Sequence, residues 1–312
     1  MSHADALPAS DDPRLLRAGE VVLLIDRKQR VYLRTLQAGG RVSVRGAPMP
    51  ADSLIGTPEG STLRTARGET FLVLRPTYAE LIPNLPRRAQ PIYPKDVGIV
   101  LLWGDIAPGM RVIEIGVGPG ALTLGLLRAL GTTGTLVSYE RREDFATAAR
   151  ENVQRFHGPA PNWTIRTADA ADGLAEHDVD RIVVDVPEPW ALLEVIAAAL
   201  RPGGVLTCFI PTVLQVKQLV DALAAHDGFA AVRTLETLLR YWEVSGRSIR
   251  PAHRMVAHTG FLVFARRLAP GVRASQLTPY RPYSSGPTSD HGTASRIEDD
   301  EGGDPREDLD EA

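Results

Sequence analysis

The sequence predicts an α/β protein in which a small all-β domain precedes a larger domain built on a mixed sheet with helices on both faces. Three observations predict it. Residues 19–76 read as short strands broken by glycines and Asp/Lys turns. From residue 111 onward, apolar strand-like runs alternate with helical stretches. The runs at 111–115, 181–185 and 204–210 are nearly continuous in apolar residues, as expected where both faces of a sheet are covered.

Residues 1–18 read as a loose leader, and the β domain follows with strands over 20–25, 30–35, 41–44, 61–65 and 70–74. Residues 77–94 are a proline-rich connector. The larger domain, 95–268, opens with a helix that starts near Pro94 and ends by Gly104. Strand 111–115 runs into a helix over 120–130, and strand 135–140 into one over 143–156. Strand 164–167 follows, then 181–185 with a helix over 189–200, and 204–210 with a helix over 212–225. Strands near 230–238 and 260–267 complete a seven-stranded mixed sheet.

Residues 269–312 read as a disordered acidic tail, rich in Pro, Ser, Gly and Asp with almost no apolar anchors. The tail distorts the net charge of -3. Residues 270–312 hold ten acids and four arginines, so the rest of the chain carries 31 basic and 28 acidic residues. A body of +3 is compatible with a polyanion partner without demanding one.

The single cysteine, Cys208, excludes an intramolecular disulfide and any multi-cysteine zinc site. Its apolar surroundings predict a buried structural thiol. The seven histidines do not cluster, so no metal site is expected. The N-terminus lacks a basic start and an apolar run, and no stretch of about 18 apolar residues occurs. A cytoplasmic protein with no membrane partner is the expectation.

Gly116-Val117-Gly118-Pro119-Gly120 follows a strand and opens a helix. Glycines let the backbone turn sharply and pass close to a ligand, and the helix start adds unpaired N–H groups. Glu140, at the tip of the second strand, can take both hydroxyls of a ribose. These features alone do not separate NAD from S-adenosylmethionine. Three details favour S-adenosylmethionine. Glu114 lies two residues before the first glycine, where it can order the loop or reach the ligand's ammonium end through water. The lead-in at 106–111 is typical of methyltransferases. Asp169 ends the third strand, placed to accept from an adenine amino group or to cap a turn. Asp185 stands at the C-terminal edge of the fourth strand, where open α/β sheets present reactive groups, and Pro187 and Pro189 restrict the backbone beside it. Trp190 can pack a helix start or lie against a base. A cofactor cradle followed by an acidic strand end suggests group transfer, most plausibly of a methyl group.

The segment Asp185-Val-Pro-Glu-Pro-Trp190 resembles the Asp-X-X-X-Pro-Trp segment of the tRNA adenine-58 N1-methyltransferase family. Segments 54–60, 71–76, 92–96, 138–140 and 258–263 resemble it as well, so the likeness spans residues 18–268. The resemblance implies a class I methyltransferase domain, Rossmann-like, behind a small β domain. It also implies S-adenosylmethionine as cofactor with S-adenosylhomocysteine as product, no metal, and a homotetramer around tRNA. Carried onto this chain, it implies that Gly116, Gly118, Pro119, Gly120, Ala121 and Leu122 hold the amino-acid part of the cofactor. Glu140 would bind its ribose, Phe145 would line the adenine side, and Asp169 with Ala170 would meet the adenine. Asp185 would orient the target base, and Tyr93 with Gln90 would help close the pocket. The chain departs from the family pattern at Pro119, which removes one N–H from the turn, and at Val117 and Pro91.

Tyr241 and Trp242 sit among Arg240, Arg247, Arg250 and Arg254, a pattern suited to base stacking with phosphate contact. Arg87, Arg88 and Lys95 in and beside the connector are further phosphate candidates, and Trp190 is a candidate base contact. The competing use of these arginines is a solvated face or salt bridges between subunits. Three rival functions remain open. A methyltransferase for a small molecule or a protein carboxylate predicts a narrow neutral pocket and no arginine-lined cleft. A non-catalytic RNA-binding relative predicts no cofactor binding. A dinucleotide oxidoreductase gains only from the glycine turn and Glu140.

Overall fold

The computed structural model describes residues 12–85 and 90–277. The expectations for residues 1–11, for Arg87 and Arg88, and for the tail beyond 277 lie outside the described residues.

Alternating apolar residues and tight turns shape the β domain. Strands β1 (Val21–Asp26), β2 (Val31–Thr35), β3 (Arg41–Val44), β4 (Ala47–Pro50), β5 (Thr62–Arg64) and β6 (Thr70–Leu74) follow in order. Four of them form an antiparallel sheet in the order β2-β1-β6-β5, and β3 pairs with β4 as a separate hairpin. Val22, Leu24, Val42, Val44, Phe71 and Val73 fill its core. Part of the expected leader belongs to this domain: Leu16 is buried in the same core, and its backbone N–H bonds Thr57 O at 2.9 Å. The apolar side chain of Leu16 docks residues that composition alone had marked as loose.

A short helix α1 (Tyr78–Leu81) leads to α2 (Pro94–Trp103). There follow β7 (Arg111–Ile115), α3 (Ala121–Leu130), β8 (Thr135–Glu140), α4 (Glu143–Phe156), β9 (Trp163–Thr167) and β10 (Val179–Val184). Then come α5 (Leu193–Ala199), β11 (Leu200–Ile210), α6 (Val213–His226), β12 (Phe229–Glu236), β13 (Trp242–Ser245), β14 (Ser248–Pro251) and β15 (Phe261–Arg267). The expected helix over 189–200 is a 3-10 turn, Pro189–Leu192, followed by α5.

The seven-stranded sheet has the order β12-β15-β11-β10-β7-β8-β9. Strand β15 runs antiparallel to both its neighbours, and the pairs from β11 to β9 are parallel. Alternate residues feed opposite cores. Ile113, Ile182, Val184, Leu206 and Cys208 pack beneath α5 and α6. Val112, Val183 and Val205 pack beneath α2, α3 and α4. Cys208 is buried as expected, and burial pushes its thiol well above the ordinary range. The chain leaves β7 toward β8 on one side and reaches β10 on the other. The crevice at the C-terminal ends of β7 and β10 is therefore the switch point where such sheets present ligands.

After α6, Asp227 turns left-handed with φ of 60°, and its carboxylate accepts from the backbone N–H of Ser275 at 2.6 Å and the Ser275 hydroxyl at 2.7 Å. The folded body therefore extends to residue 277, beyond the boundary at 268 that composition suggested.

Candidate active site

A cleft of about 650 Å³ opens at that switch point, within the range of roughly 300–1,000 Å³ common to cofactor sites. Gly116, Gly118, Pro119, Ala121, Leu122, Glu140, Phe145, Asp169, Ala170, Asp185 and Gln90 all line it. These expected site residues, drawn from the ends of four strands, the starts of α3 and α4 and the segment before α2, converge on one space.

The glycine loop is built from within. Gly116 donates to Tyr139 O at 2.9 Å and Gly120 to Val117 O at 3.0 Å. The N–H groups of Val117 and Gly118 donate to Glu140 Oε2 at 3.1 and 3.3 Å. Asn152, nearly buried, donates to Pro119 O at 2.9 Å. Gly120, at φ of 81°, sits where a Cβ would press on Ala149 of α4 at 3.3 Å. No atom lies within 4 Å of a Cβ placed on Gly118, so that glycine leaves the loop's outer face open. Pro119 thus sits in a turn whose other N–H groups already have protein acceptors. The remaining donors are in the first turn of α3, at Ala121 and Leu122, which have no intrahelical partners. Two adjacent donors at a helix start suit a small anion such as an amino-acid carboxylate.

Glu140 Oε1 also accepts from the Arg142 backbone at 3.0 Å. The Arg142 guanidinium lies 3.9 Å from the centroid of the Phe145 ring, and both side chains line the cleft. Arg142 was missed by sequence reasoning. Its signal was its place two residues past Glu140, at the cap of α4. Asp169 caps the following 3-10 turn, its Oδ1 accepting from Ala171 N–H at 2.9 Å, and the residue stays exposed at the cleft.

Asp185 is half-buried at the end of β10, its backbone N–H held by Ile115 O at 2.8 Å. Burial, with the Glu140 charge added, pushes its carboxyl up to about 7. Glu140 and Asp185 make the floor of the cleft acidic, and a cation placed against them would relieve their repulsion.

Other expected residues fall elsewhere. Glu114 does not line the cleft. It is fully buried on the α3 side of β7, where Thr123 donates at 2.8 Å and Ser138 at 2.6 Å to its Oε2. Ser138 in turn accepts from the Trp163 indole at 2.9 Å. Burial, opposed by these hydroxyls and aided by Asp185 and Glu140, raises its carboxyl to about 8. Glu114 therefore orders the strand–helix junction and does not face a ligand.

Lys95 is not available to a phosphate. Its ammonium is buried and gives its donors to Asp96 at 2.8 Å, Thr237 O at 2.7 Å and Thr259 at 2.6 Å. Trp190 packs against the core beneath α5 and is not among the cleft-lining residues. Tyr93 also stands back from the cleft and reaches it through Gln90, whose amide donates to the Tyr93 hydroxyl at 2.8 Å. Arg240, Tyr241, Trp242, Arg247 and Arg254 lie exposed on and around the β13–β14 hairpin, away from the cleft lining, and Arg250 there pairs with Glu243. The hairpin also exposes Val244 and Ile249. Among the described residues no group of three or more His, Cys, Asp or Glu is placed to hold a metal ion, and no helix is long and apolar enough to cross a membrane.

Comparison with known proteins agrees with this geometry. Residues 70–250 match the family model of the tRNA methyltransferase complex GCD14 subunit, and residues 15–63 match the TrmI-like N-terminal family. The chain is 38% identical over 252 residues to tRNA (adenine(58)-N(1))-methyltransferase TrmI of Thermus thermophilus, covering 79% of this chain and 96% of that protein. It is 30% identical over 269 residues to tRNA (adenine(57)-N(1)/adenine(58)-N(1))-methyltransferase TrmI of Methanocaldococcus jannaschii, covering 78% and 94%. Among solved structures, TrmI of Aquifex aeolicus superposes with a TM-score of 0.71 at 32% identity, covering 82% of this chain and 99% of that one. A SAM-dependent O-methyltransferase from Thermotoga maritima gives 0.78 at 31% identity, covering 82% and 96%. With both domains matched in order and the sheet arranged as in these structures, this chain belongs to the TrmI-type tRNA (adenine-58-N1) methyltransferase family and has its class I methyltransferase fold behind a smaller β domain.

Proposed function

We propose that this protein transfers a methyl group from S-adenosylmethionine to N1 of adenosine 58 in the T-loop of tRNA. One observation carries the reading: Asp185 ends β10 in the same cleft as Glu140 and the glycine loop, so an acidic group faces a space that fits a cationic nucleoside ligand. When bound, S-adenosylmethionine supplies an electrophilic methyl on a sulfonium centre. The first-turn N–H groups of Ala121 and Leu122 hold the carboxylate of its amino-acid end. Glu140 accepts from the ribose hydroxyls, the Arg142–Phe145 stack flanks the adenine, and Asp169 accepts from the adenine amine.

The target base must leave its stack to enter the cleft, which costs a few kcal/mol. Asp185 then accepts a hydrogen bond from the exocyclic amine of that adenine. The carboxylate would push electron density toward N1 and oppose the positive charge that passes to the ring as the N1–methyl bond forms and the sulfonium S–methyl bond breaks, its electron pair leaving on the sulfur of S-adenosylhomocysteine. In-line placement supplies much of the remaining acceleration. The exposed apolar hairpin around Trp242 supports a homo-oligomer, proposed as a tetramer, which light scattering of the purified protein checks.

Similarity to the SAM-dependent O-methyltransferase from Thermotoga maritima favours one second reading, methyl transfer to an oxygen acceptor. Incubation with labelled S-adenosylmethionine and unmodified tRNA transcripts, followed by digestion and mass analysis, separates the two. Label on N1 of the T-loop adenosine is expected. Cofactor binding with no RNA product would remove the tRNA reading.

A further inference from the structure

A second concavity, of about 260 Å³, lies wholly within the β domain and shares no lining residue with the cleft. Five cationic side chains ring it: Arg27, Lys28, Arg30, Arg45 and Arg67. Two carboxylates line it, and both are engaged. Asp26, buried, takes the backbone N–H groups of Lys28 and Arg30 on one oxygen at 2.8 and 3.0 Å and the Arg30 guanidinium on the other at 2.6 Å. Glu69 pairs with Arg45 at 2.8 Å. Arg27, Lys28 and Arg67 remain, all exposed, and no described carboxylate forms an ion pair with them.

The notch is built rather than incidental. Asp26 closes the β1–β2 turn from inside, with Gln29 N–H donating to Asp26 O at 2.9 Å. That bond holds Arg27 and Lys28 at the turn's edge. Gln29 and Arg45 adopt φ of 60° and 52°, a region unfavourable for residues with a Cβ, and both sit in the turns that shape this site. The Arg45–Glu69 pair ties the β3–β4 hairpin to the start of β6 and to the Arg67 turn. No aromatic side chain lines the notch, so it offers no platform for a stacked base. Three uncompensated cations in a shallow polar hollow suit phosphodiester oxygens.

We propose that Arg27, Lys28 and Arg67 form a second RNA contact that grips backbone phosphates of the substrate tRNA away from the methyl-transfer cleft. The proposal rests on the tRNA reading above and adds a contact to it. It assigns the β domain a part in holding the substrate, independent of base identity. Such contacts weaken binding uniformly across sequences when removed, and they carry the salt dependence of affinity.

The test is the triple variant R27A/K28A/R67A of the full chain, titrated with unmodified tRNA transcript at several salt concentrations. The Kd is expected to rise roughly tenfold at low salt, and the slope of log K against log salt to shrink by about one for each phosphate no longer gripped. The KM for tRNA rises, while kcat at saturating tRNA and the KM for S-adenosylmethionine stay unchanged. The charge-keeping variant R27K/R67K retains most of the affinity. Thermal unfolding of the triple variant is expected to match wild type, because the three side chains are exposed; if it does not, R67E alone supplies the same readout. Wild-type Kd and slope in the variant would overturn the notch alone. Equal loss in the charge-keeping variant would overturn it too, since charge would not be the cause. If the wild-type protein binds tRNA but methylates none, the catalytic reading falls and the notch is still judged by binding. A wild-type protein that binds no tRNA sinks both.

Discussion

A Cβ placed on Gly116 would stand 2.2 Å from the carbonyl oxygen of Asp185. That separation is far inside van der Waals contact, and the obstacle is backbone, which cannot rotate away. The end of β10 can lie against the glycine loop only because position 116 has no side chain, and its φ of 87° adds a second reason for glycine. Gly116→Ala is therefore expected to displace the loop and the candidate Asp185 together. S-adenosylmethionine affinity measured by calorimetry and the melting temperature should both fall, the affinity at least tenfold. A Gly116→Ala protein that binds the cofactor like wild type would show that the loop has slack the packing does not reveal.

Replacing Asp185 by Asn keeps the shape and removes the charge. The turnover number is expected to drop roughly 100- to 1,000-fold, the scale of losing one preorganised electrostatic group, with cofactor affinity changed far less. Because burial holds the carboxyl up to about 7, wild-type kcat/KM for tRNA should rise with pH from 6 to 8 as Asp185 ionises. The Asn variant should lose that limb. A persistent limb in the variant would assign the titration to another group.

Glu114 gives a stability prediction with a definite sign. The folded state keeps its proton up to about pH 8, whereas the unfolded chain releases it near 4.5. Between those values the folded state binds more protons, so this group's contribution to stability falls as pH rises and is flat below the window. Glu114→Gln is neutral at every pH and can still accept from Thr123 and Ser138. Its melting temperature should exceed that of wild type by a few degrees at pH 8 and converge with it at pH 5, as read by calorimetry at both values.

Lys95→Met would leave Asp96, which is fully buried, without its cation. Removing one partner of a buried pair costs about 3–5 kcal/mol, measurable by urea unfolding. The salt slope of tRNA binding should not change, since the ammonium has no access to a phosphate. The double variant Lys95→Met/Asp96→Asn is expected to recover part of the loss.

Much of this molecule was legible in the residues themselves. The strands at 111–115, 181–185 and 204–210 were readable because nearly continuous apolar runs between turns admit few other structures, and the glycine loop, Glu140 and Asp185 fell into one cleft because strand ends converge at a switch point. The strand at Ala47–Pro50 was hidden by its two prolines, tolerated because β4 pairs on one edge only. Lys95 looked like a surface cation because its acceptors, Thr237 and Thr259, lie 142 and 164 residues away. Glu114 looked like a ligand contact because sequence places it next to the loop but does not say which face of β7 it occupies. Trp190 was balanced between two uses, and only the packing beneath α5 decided between them.

The clasp between Asp227 and Ser275 bears on how the protein should be trimmed for crystallisation. Cutting the chain at 268, where composition marks the tail, would leave Asp227, the residue that caps the end of α6, without its partner. A stop codon placed after Leu277 keeps that clasp while discarding the acidic extension, and is the shorter form expected to retain the melting temperature of the untrimmed chain.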